Sequence, residues 1–414
     1  MIGPLPRLRV YTTASQYWDL MVETLTGRRL SGGEVSELER LVANRAGTEF
    51  ALALPQARVG IYLSIKHLVK PGQKVILSPY TISDVVNMVV CAGAVPVFAD
   101  IERETCNIDA AEVEKLIDRD TGAVMVTHFY GLACDIERIA AICKAHGVPL
   151  IEDAAQAFGV RVNGRAVGTF GDIGIYSFGL FKNVNSFLGG MMIGNDQPTF
   201  ENIDRELSTY PFQSASGFLR KSVQAVMTDV VTWPLLFRIG FFWLFRYAFL
   251  NDVASVNDRM KNDLDPVLKT DMPKDFLCRI TPLQARMVLR QLDGVEAHML
   301  RRIEAAKRYY EGLRDIPELI LPPMRTDLSH MYWYYPIQFD SRHDLVVYAM
   351  RRFRDISESY HHNCADLPCF AKWYRDCPNA RATARSLIYL PTYPRYPNSE
   401  IDKTVKVIRD FFGR

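Results

Sequence analysis

A lysine and an aspartate in the first half of the chain are the residue types that pyridoxal phosphate chemistry needs. Lys182 ends the run Gly174-Ile-Tyr-Ser-Phe-Gly-Leu-Phe-Lys182, and Asp153 ends the acidic dipeptide Glu152-Asp153. A lysine amine can form a Schiff base with an aldehyde cofactor, and a carboxylate can keep a pyridine nitrogen protonated. Alone, Asp153 is more typical of a helix cap and Lys182 of a surface lysine. Together they predict a pyridoxal phosphate site.

The elements expected to position this pair alternate between short apolar strands and helices. Buried strands are predicted at Lys74-Val-Ile-Leu, Val95-Pro-Val-Phe, Ala123-Val-Met-Val and Pro149-Leu-Ile, with helices at about 57–68, 83–92, 110–118 and 135–146. This alternation predicts an α/β fold in which a mostly parallel sheet lies between helices. Ligands bind such sheets beyond the carboxyl ends of the strands, and Asp153 follows the strand at 149–151. The fold is therefore expected to place Asp153 beside the cofactor.

The second half of the chain has a different pattern. A long helix is predicted from Arg279 to Leu313, with its inward face formed by Leu283, Met287, Leu289 and Leu292. A strand at Tyr332-Trp-Tyr-Tyr-Pro-Ile-Gln-Phe and helices near 343–353 and 399–412 indicate a smaller C-terminal α+β domain. We therefore expect an N-terminal arm at 1–30, a large cofactor-binding domain at 31–200, an insertion at 201–275, and the long helix with the small domain at 276–414.

Composition and charge narrow the class of protein. The chain has 414 residues, 48% of them hydrophobic, and a net charge of +2, which is typical of an ordered globular protein and predicts no nucleic-acid partner. The eight cysteines form no Cys-x-x-Cys pair and the N-terminus lacks the apolar core of a signal peptide, so free thiols and a cytoplasmic location are expected. The group His361-His362-Asn363-Cys364 with Cys369 matches no metal-ligand spacing, and no metal is expected.

The residues around the predicted site resemble a known family. The strongest stretches are Ile151-Glu-Asp-Ala-Ala-Gln-Ala-Phe-Gly, Val167-Gly-Thr-Phe-Gly-Asp-Ile-Gly-Ile-Tyr-Ser-Phe, Lys182 and Gly189-Gly190-Met191. In order and spacing they resemble the DegT/DnrJ/EryC1/StrS aminotransferases, often called sugar aminotransferases. The resemblance runs from about Gly32 to the C-terminus, with an interruption near 200–275. It implies the fold-type-I aminotransferase fold, pyridoxal 5'-phosphate as cofactor, and a homodimer with active sites at the subunit interface.

The resemblance also implies roles for individual residues. Lys182 matches the Schiff-base lysine and Asp153 matches the partner of the pyridine nitrogen. Gln156 matches a residue beside the cofactor ring, and Ser177 matches a hydroxyl that binds the phosphate. A buried aspartate keeps the ring nitrogen cationic, so that the ring can take up charge from a carbanion. Lys182, once displaced by the amino donor, is then expected to move the substrate proton.

Several positions in the phosphate and substrate regions depart from the family pattern. Where the family has Ser-Gly-Thr at a helix start, this chain has Gln56-Ala57-Arg58, so the backbone at Ala57 and the charged fork of Arg58 are expected to meet the phosphate. Ile82 replaces an aromatic residue that stacks on the ring, and Tyr80 is the nearest candidate for a cofactor contact. The remaining departures are Gly179 for a histidine, Phe187-Leu188 for Gly-Glu, and Leu277 for an asparagine. Because Asp153 and Lys182 are retained, we expect the cofactor to be kept and the acceptor to be unusual.

A hydrophobic segment in the insertion is not typical of the family. Residues 235–250 are apolar except for Gly240, Arg238 and Arg246, and the two arginines fall about 80° apart on a helical projection. Three interpretations remain open: a membrane-spanning helix, for which the apolar run is short; burial in an oligomer interface or core; and a helix lying in the membrane surface. The last is favoured, with the aromatic face among the acyl chains and the arginines at phosphate depth. Basic residues on either side would suit an anionic leaflet, namely Arg220, Lys221, Arg259 and Lys261.

The sequence therefore predicts an aminotransferase, cytoplasmic or peripheral on the membrane through 233–250. The expected donor is an amino acid, glutamate being usual in the family, and the acceptor is a ketone or aldehyde on a deoxy-sugar or a lipid-associated molecule. A dehydratase of the same fold is one alternative, but such family members carry a histidine in place of the lysine. A non-catalytic, membrane-associated regulator or scaffold is another. His330, Tyr332 and His361 are candidates for lining the substrate site.

Overall fold

A seven-stranded, mostly parallel sheet forms the centre of the chain in the computed structural model, which describes residues 3–10, 12–26, 30, 32–257 and 265–414. The strands of this half are β1 Phe50–Leu54, β2 Lys74–Leu77, β3 Tyr80–Thr81, β4 Val95–Phe98, β5 Thr121–Thr127, β6 Leu150–Asp153, β7 Arg161–Val162, β8 Arg165–Ala166, β9 Ile173–Ser177 and β10 Gly190–Gly194. The central order is β1-β10-β9-β6-β5-β2-β4, and β10 is antiparallel to both of its neighbours. The predicted α/β class is confirmed.

Helices cover both faces of this sheet because alternate strand residues point to opposite sides. Val124 and Val126 of β5 pack in one cluster with Ile139, while Ala123 and Met125 pack in another with Ile61. The helices of this half are α1 Ala14–Thr26, α2 Glu34–Ala46, α3 Ala57–Leu68, α4 Ser83–Cys91, α5 Ala110–Leu116, α6 Ile136–His146 and α7 Gln197–Ser208. Burial on both faces explains why the strands read as continuous apolar runs.

One strand boundary differs from the sequence prediction in a way that matters for the site. The strand predicted at 149–151 runs from Leu150 to Asp153, because Glu152 and Asp153 pair with Val126 and Thr127 of β5. Asp153 is therefore the last residue of the strand rather than a residue beyond it. Its backbone is held by the sheet, which fixes the starting point of its side chain.

The prediction of one long helix from Arg279 to Leu313 is wrong. The chain forms α12 Pro282–Leu289, a 3-10 turn at Leu292–Gly294 and α13 Val295–Leu313. Thr281 starts α12 with a capping box to Gln284, so the helix cannot extend back to Arg279. At the other end the Gln291 side chain donates to the carbonyl oxygens of Met287 and Asn185, in the region where the helix gives way to the turn.

A smaller α+β domain follows, as predicted. Its sheet has the order β11 Tyr335–Gln338, β14 Leu387–Leu390, β12 Ser357–Glu358, and its helices are α14 Arg342–Arg351, α15 Pro378–Ser386 and α16 Asn398–Phe411. The strand expected at 332–339 is thus shorter. A separate strand, β13 His362–Asn363, leaves this domain and pairs antiparallel with β3 of the first. Short 3-10 turns lie at Phe129–Gly131, Cys364–Asp366 and Pro368–Trp373.

The hydrophobic segment of the insertion is helical but is oriented differently from the prediction. It comprises α8 Ala215–Val231, α9 Pro234–Leu236, a π-helical stretch Phe237–Phe241, α10 Phe242–Leu250 and α11 Ala254–Asn257. Phe237 and Phe242 are buried with Met350 of the small domain. Arg238 Nε donates to the carbonyl oxygen of Gly3, and Arg246 Nε to that of Met350. The aromatic face and the arginines therefore point into the protein, because the guanidinium groups satisfy buried carbonyl oxygens.

The face that these helices leave exposed is mainly aliphatic. On α8 it carries Leu219, Val223, Val226, Met227 and Val230, and after α8 it carries Trp233, Leu235, Leu236, Ile239, Leu244 and Tyr247. We call this set the exposed apolar surface. No single described helix has the length and apolar character of a membrane span, although Ala215–Val231 and Pro234–Leu250, bent by 57°, meet those criteria as a pair. Arg259 and Lys261, named above as flanking basic residues, lie outside the described residues.

Candidate active site

Lys182 lies in the loop that follows β9, against an aromatic ring of the second half of the chain. Its amine is 4.5 Å from the centroid of the Trp333 ring. The indole Nε1 of Trp333 donates to the carbonyl oxygen of Phe181 at 2.8 Å, and Lys182 N donates to Gly179 O at 3.0 Å. Trp333 therefore holds both the backbone before Lys182 and the amine itself, a role that no local sequence signal identified.

The surroundings of Lys182 let its amine lose the proton more readily than an ordinary lysine does. Burial lowers the pKa of Lys182 to about 8; the carboxylate of Asp153 opposes this shift, and the charge of Arg58 adds to it. Because both residues act on the amine, the structure brings together three of the predicted site residues. An amine with a pKa near neutrality can give and take a proton at working pH.

Asp153 is buried at the carboxyl end of β6. Its Oδ1 accepts from Ala155 N at 3.0 Å, and its Oδ2 has a long contact of 3.4 Å with the hydroxyl of Thr127. Burial raises the pKa of the Asp153 carboxyl, and the bond from Ala155 and the charge of Lys182 oppose that rise. A cationic partner at Oδ2 would be favoured here, since a buried carboxylate is stable only when paired.

Glu152, the other half of the acidic dipeptide, has a structural role that the sequence did not reveal. Its two oxygens accept from Gly168 N and Gly171 N, each at 2.7 Å, and His128 Nε2 lies 3.2 Å from Oε2. Burial opposes the charge of His128, yet contacts with Cys134 and Glu152 raise its pKa to about 10. Glu152 thus secures the turn that leads into β9 and so the start of the Lys182 loop.

Gln156 and Ser177 lie near the two catalytic candidates on different elements. The Oε1 atom of Gln156 accepts from Tyr130 N at 2.8 Å, which ties the segment after β6 to the turn at Phe129–Gly131. Ser177 is the last residue of β9, and its hydroxyl accepts from Gly179 N at 3.3 Å. The sheet positions Ser177 and Asp153 at ends of parallel neighbouring strands, which is the edge where such sheets bind ligands.

The start of α3 forms the third part of the site. Ala57 is the first residue of the helix, and Gln56 before it makes no side-chain cap, so the first backbone N–H groups have no partner from the cap. A Cβ placed on Gly190 would lie 3.0 Å from Ala57 N, so a side chain at 190 would crowd this helix start. Arg58 pairs with Asp84, which also binds Lys269, and its guanidinium stacks on Phe276.

Tyr80 belongs to a hydrogen-bonded network that joins the two halves of the molecule. Its hydroxyl lies 2.8 Å from that of Tyr130 and 2.9 Å from Ser359 Oγ. Ser359 Oγ is 2.7 Å from the Tyr389 hydroxyl, which in turn lies 2.6 Å from His361 Nδ1. Of the three candidates for lining the substrate site, His361 is the one whose pKa responds to Lys182: burial lowers the pKa of His361, and the charge of Lys182 lowers it further.

The other two candidates lie in different surroundings. The Tyr332 hydroxyl donates to Pro323 O and accepts from Arg325 N, both at 2.7 Å. His330 Nδ1 lies 3.2 Å from the hydroxyl of Ser329, and burial lowers the pKa of His330 to about 4. Neither ring has a contact with Lys182 in the part of the chain that the structure describes.

These features fit a pyridoxal phosphate group. The buried carboxylate of Asp153 suits a protonated pyridine nitrogen, and the low-pKa amine of Lys182 suits an aldehyde carbon. The Ser177 hydroxyl, the uncapped start of α3 and the Arg58 guanidinium supply donors for a phosphate. Gly190 leaves the space that a Cβ would fill.

Comparison with known proteins agrees with this fit. The chain matches the model of the DegT/DnrJ/EryC1/StrS aminotransferase family over residues 17–226 and 260–409. It is 29% identical over 402 residues to the spore coat polysaccharide biosynthesis protein SpsC of Bacillus subtilis, covering 94% of this chain and 92% of that one. It is 26% identical over 389 residues to the GDP-perosamine synthase of Vibrio cholerae, covering 92% of each. A solved E. coli GDP-4-keto-6-deoxy-D-mannose-3-dehydratase with bound hydrated PLP has the same fold, with a TM-score of 0.76 at 15% identity, covering 99% of this chain and 100% of that one.

Proposed function

The chain belongs to the DegT/DnrJ/EryC1/StrS aminotransferase family, whose members are pyridoxal phosphate-dependent, and from this premise we propose its donor and acceptor. An amino acid, glutamate, gives its amino group to a ketone or aldehyde carbon of a deoxy-sugar or a lipid-associated molecule. The observation that carries the proposal is the placement of Lys182 in the loop after β9, while the buried Asp153 ends the parallel neighbouring strand β6. Burial also lowers the pKa of Lys182 to about 8.

The residues of the site divide the work of such a transfer. Pyridoxal phosphate, when bound, supplies an electron sink for the charge left by a departing proton. Lys182 Nζ takes that proton and returns it, since its pKa lies near working pH. Asp153 holds the pyridine nitrogen protonated. Gln156, Tyr80, Ser177 and the Ala57-Arg58 helix start hold the ring and phosphate.

A visible absorption band of the lysine-bound cofactor tests this proposal. The wild-type protein should show the band, and Lys182→Ala should abolish it. Lys372→Ala is a matched control, because Lys372 also lies against a tryptophan, 5.6 Å from the Trp373 ring centroid. Wild-type protein that stays colourless with added pyridoxal phosphate would instead support the non-catalytic regulator or scaffold.

Measuring the two half-reactions separately can identify the acceptor. Glutamate should bleach the band, and a competent acceptor should restore it, so nucleotide sugars, lipid-linked sugars and long-chain aldehydes can be screened with one readout. The dehydratase alternative makes a separate prediction, because it would remove a hydroxyl from the sugar and leave no new carbon–nitrogen bond. Mass spectrometry of the product separates an aminated sugar from a deoxygenated one.

We further propose that the protein is a homodimer that contacts the membrane through the exposed apolar surface. The surface carries exposed Leu235 and Ile239, and the single acidic residue between 215 and 250, Asp229, is buried in contacts with Arg9 and Tyr17. Arg220 is exposed at its edge. An apolar face with basic and no acidic exposed side chains suits an anionic bilayer.

Vesicle binding distinguishes this contact from a dimer interface. The protein should sediment with vesicles containing phosphatidylglycerol more than with phosphatidylcholine alone, and Leu235→Glu with Ile239→Glu should abolish that binding. Leu300→Glu is the control, since Leu300 is exposed on α13. The opposite outcome is that the wild type sediments with neither kind of vesicle and that light scattering shows the double variant to be a monomer. In that case the exposed apolar surface is buried in the dimer interface instead.

A further inference from the structure

An aromatic wall leads from Lys182 to His361. The Lys182 amine lies 4.5 Å from the Trp333 centroid, and the Trp333 and Tyr334 rings are 4.7 Å apart. Tyr334 continues to Tyr389 with centroids 5.0 Å apart, and the Tyr389 hydroxyl lies 2.6 Å from His361 Nδ1. None of these five side chains is as buried as the core residues around them, so the wall lies at the edge of the core.

Among the residues that the structure describes, the Nδ1 atom holds the His361 ring by hydrogen bonds. The hydrogen-bond contacts of the ring within the described ranges all fall on Nδ1, at 2.6 Å from the Tyr389 hydroxyl and 3.4 Å from those of Tyr130 and Ser359. Burial, together with the charges of Lys182 and His362, lowers the pKa of His361 to about 3, so the imidazole is neutral. A neutral imidazole carries one hydrogen, and if Nδ1 accepts from Tyr389 that hydrogen is on Nε2.

The groups that hold this ring come from both halves of the molecule. Ser359 and Tyr389 belong to the small domain, whereas Tyr80 and Tyr130 belong to the large one. The pairing of β13 with β3, in which His362 faces Thr81, fixes the chain directly after His361. Because contacts from both domains hold the His361 ring, its N–H group is preorganised to point in one direction.

We propose that His361 Nε2–H donates a hydrogen bond to an oxygen of the amino acceptor next to its reacting carbonyl, and that Tyr389 is a positioning residue that fixes the required tautomer. This rests on the proposed transamination and deepens it. The contact selects acceptors with a hydroxyl beside the carbonyl, as in a sugar ring, over simple long-chain aldehydes, because the aldehyde would leave the donor unpaired.

Half-reactions measured separately test the contact. His361→Leu should slow the acceptor half-reaction of a hydroxylated acceptor roughly 10- to 100-fold, which is the usual cost of one lost hydrogen bond at a desolvated site. A long-chain aldehyde should be affected far less, and so should the donor half-reaction with glutamate. Tyr389→Phe should give a smaller loss of the same pattern. His343→Leu, in which the replaced histidine is exposed and pairs with Glu358, should behave like the wild type. Equal slowing with sugar and aldehyde, or of both half-reactions, would overturn the proposal.

A second measurement works without an acceptor. His361→Lys places a positive charge beside Lys182 and should lower the pH at which Lys182 becomes reactive toward acetic anhydride, followed by mass spectrometry of the full-length protein. An unchanged midpoint would show that the side chain at 361 points away from the site and would overturn the contact. The wild-type absorption band decides the proposed function separately, so the two failures are distinguishable.

Discussion

Phe187 packs against Phe218 with ring centroids 6.5 Å apart, and it does so from a left-handed backbone with φ of +68°. Phe187 stands where the family resemblance has a glycine, and Phe218 lies on α8 of the insertion. The same hydrophobic cluster contains Ala225, Leu283 and Met287, so α8 packs against the loop that carries Lys182. The two departures from the family, one in the loop and one in the insertion, are therefore a single packing arrangement.

Replacing Phe187 separates backbone strain from packing. Phe187→Gly relieves a left-handed conformation that costs about 1 kcal/mol or more, but it loses a buried aromatic side chain worth about 3–5 kcal/mol. We expect a net loss of about 2 kcal/mol in urea unfolding. Phe187→Ala loses the same packing and keeps the strain, so it should be less stable than the glycine variant by about 1 kcal/mol. Equal stability of the two variants would mean that the loop relaxes.

Gly190→Ala tests whether the start of α3 holds the cofactor. The new Cβ would meet Tyr176 O at 2.8 Å and Ala57 N at 3.0 Å, both backbone atoms that cannot rotate away. We expect a loss of affinity for pyridoxal phosphate of about tenfold or more, since small displacements of positioning groups are costly. Gly240→Ala is the control, because nothing lies within 4 Å of its Cβ. Titration of the visible band should show unchanged affinity there.

Local sequence patterns predicted β2, β4, β5 and β6 of the central sheet because burial on both faces leaves long apolar runs, but they did not predict β1, β9 and β10. They failed where tertiary contacts outweigh periodicity. Leu283 and Leu292 share a helical pattern, yet Gln291 bonds Met287 O and Asn185 O in the region where the helix gives way to a turn. The predicted orientation of residues 235–250 was wrong for a related reason. Arg238 and Arg246 donate to carbonyl oxygens that are remote in sequence, and a local pattern does not reveal such partners.

Local sequence patterns also identified only some of the residues at the candidate site. Asp153, Gln156, Ser177 and Lys182 lie in one stretch and could be proposed from a motif. Trp333 and Tyr389 reach the site only through the fold, from residues far along the chain, and their aromatic character is common to core residues. The roles assigned to the motif residues remain predictions that the variants described here would test.

Glu152→Gln should destabilise the protein without removing a site residue. The carboxylate accepts from Gly168 N and Gly171 N at 2.7 Å, and an amide can accept with only one of its two end atoms. One buried N–H would then face an NH2 group and lose its hydrogen bond. Loss of a buried hydrogen bond to a charged acceptor lowers the free energy of unfolding by about 2–3 kcal/mol. Thermal unfolding should show a lower midpoint than Glu114→Gln, whose carboxylate is largely exposed.

The charges near Lys182 predict that removing Asp153 and removing Arg58 shift the pKa of Lys182 in opposite directions. In the protein without added cofactor, labelling of Lys182 by acetic anhydride should have its midpoint at a pKa of about 8. Asp153 raises this pKa, so Asp153→Asn should move the midpoint to lower pH. Arg58 lowers it, so Arg58→Ala should move the midpoint to higher pH. Lys74, whose pKa is raised by Asp118, is an internal control that should react only at higher pH in every variant. Shifts in the same direction for both variants would indicate a change of structure, because opposite charges cannot move one pKa the same way.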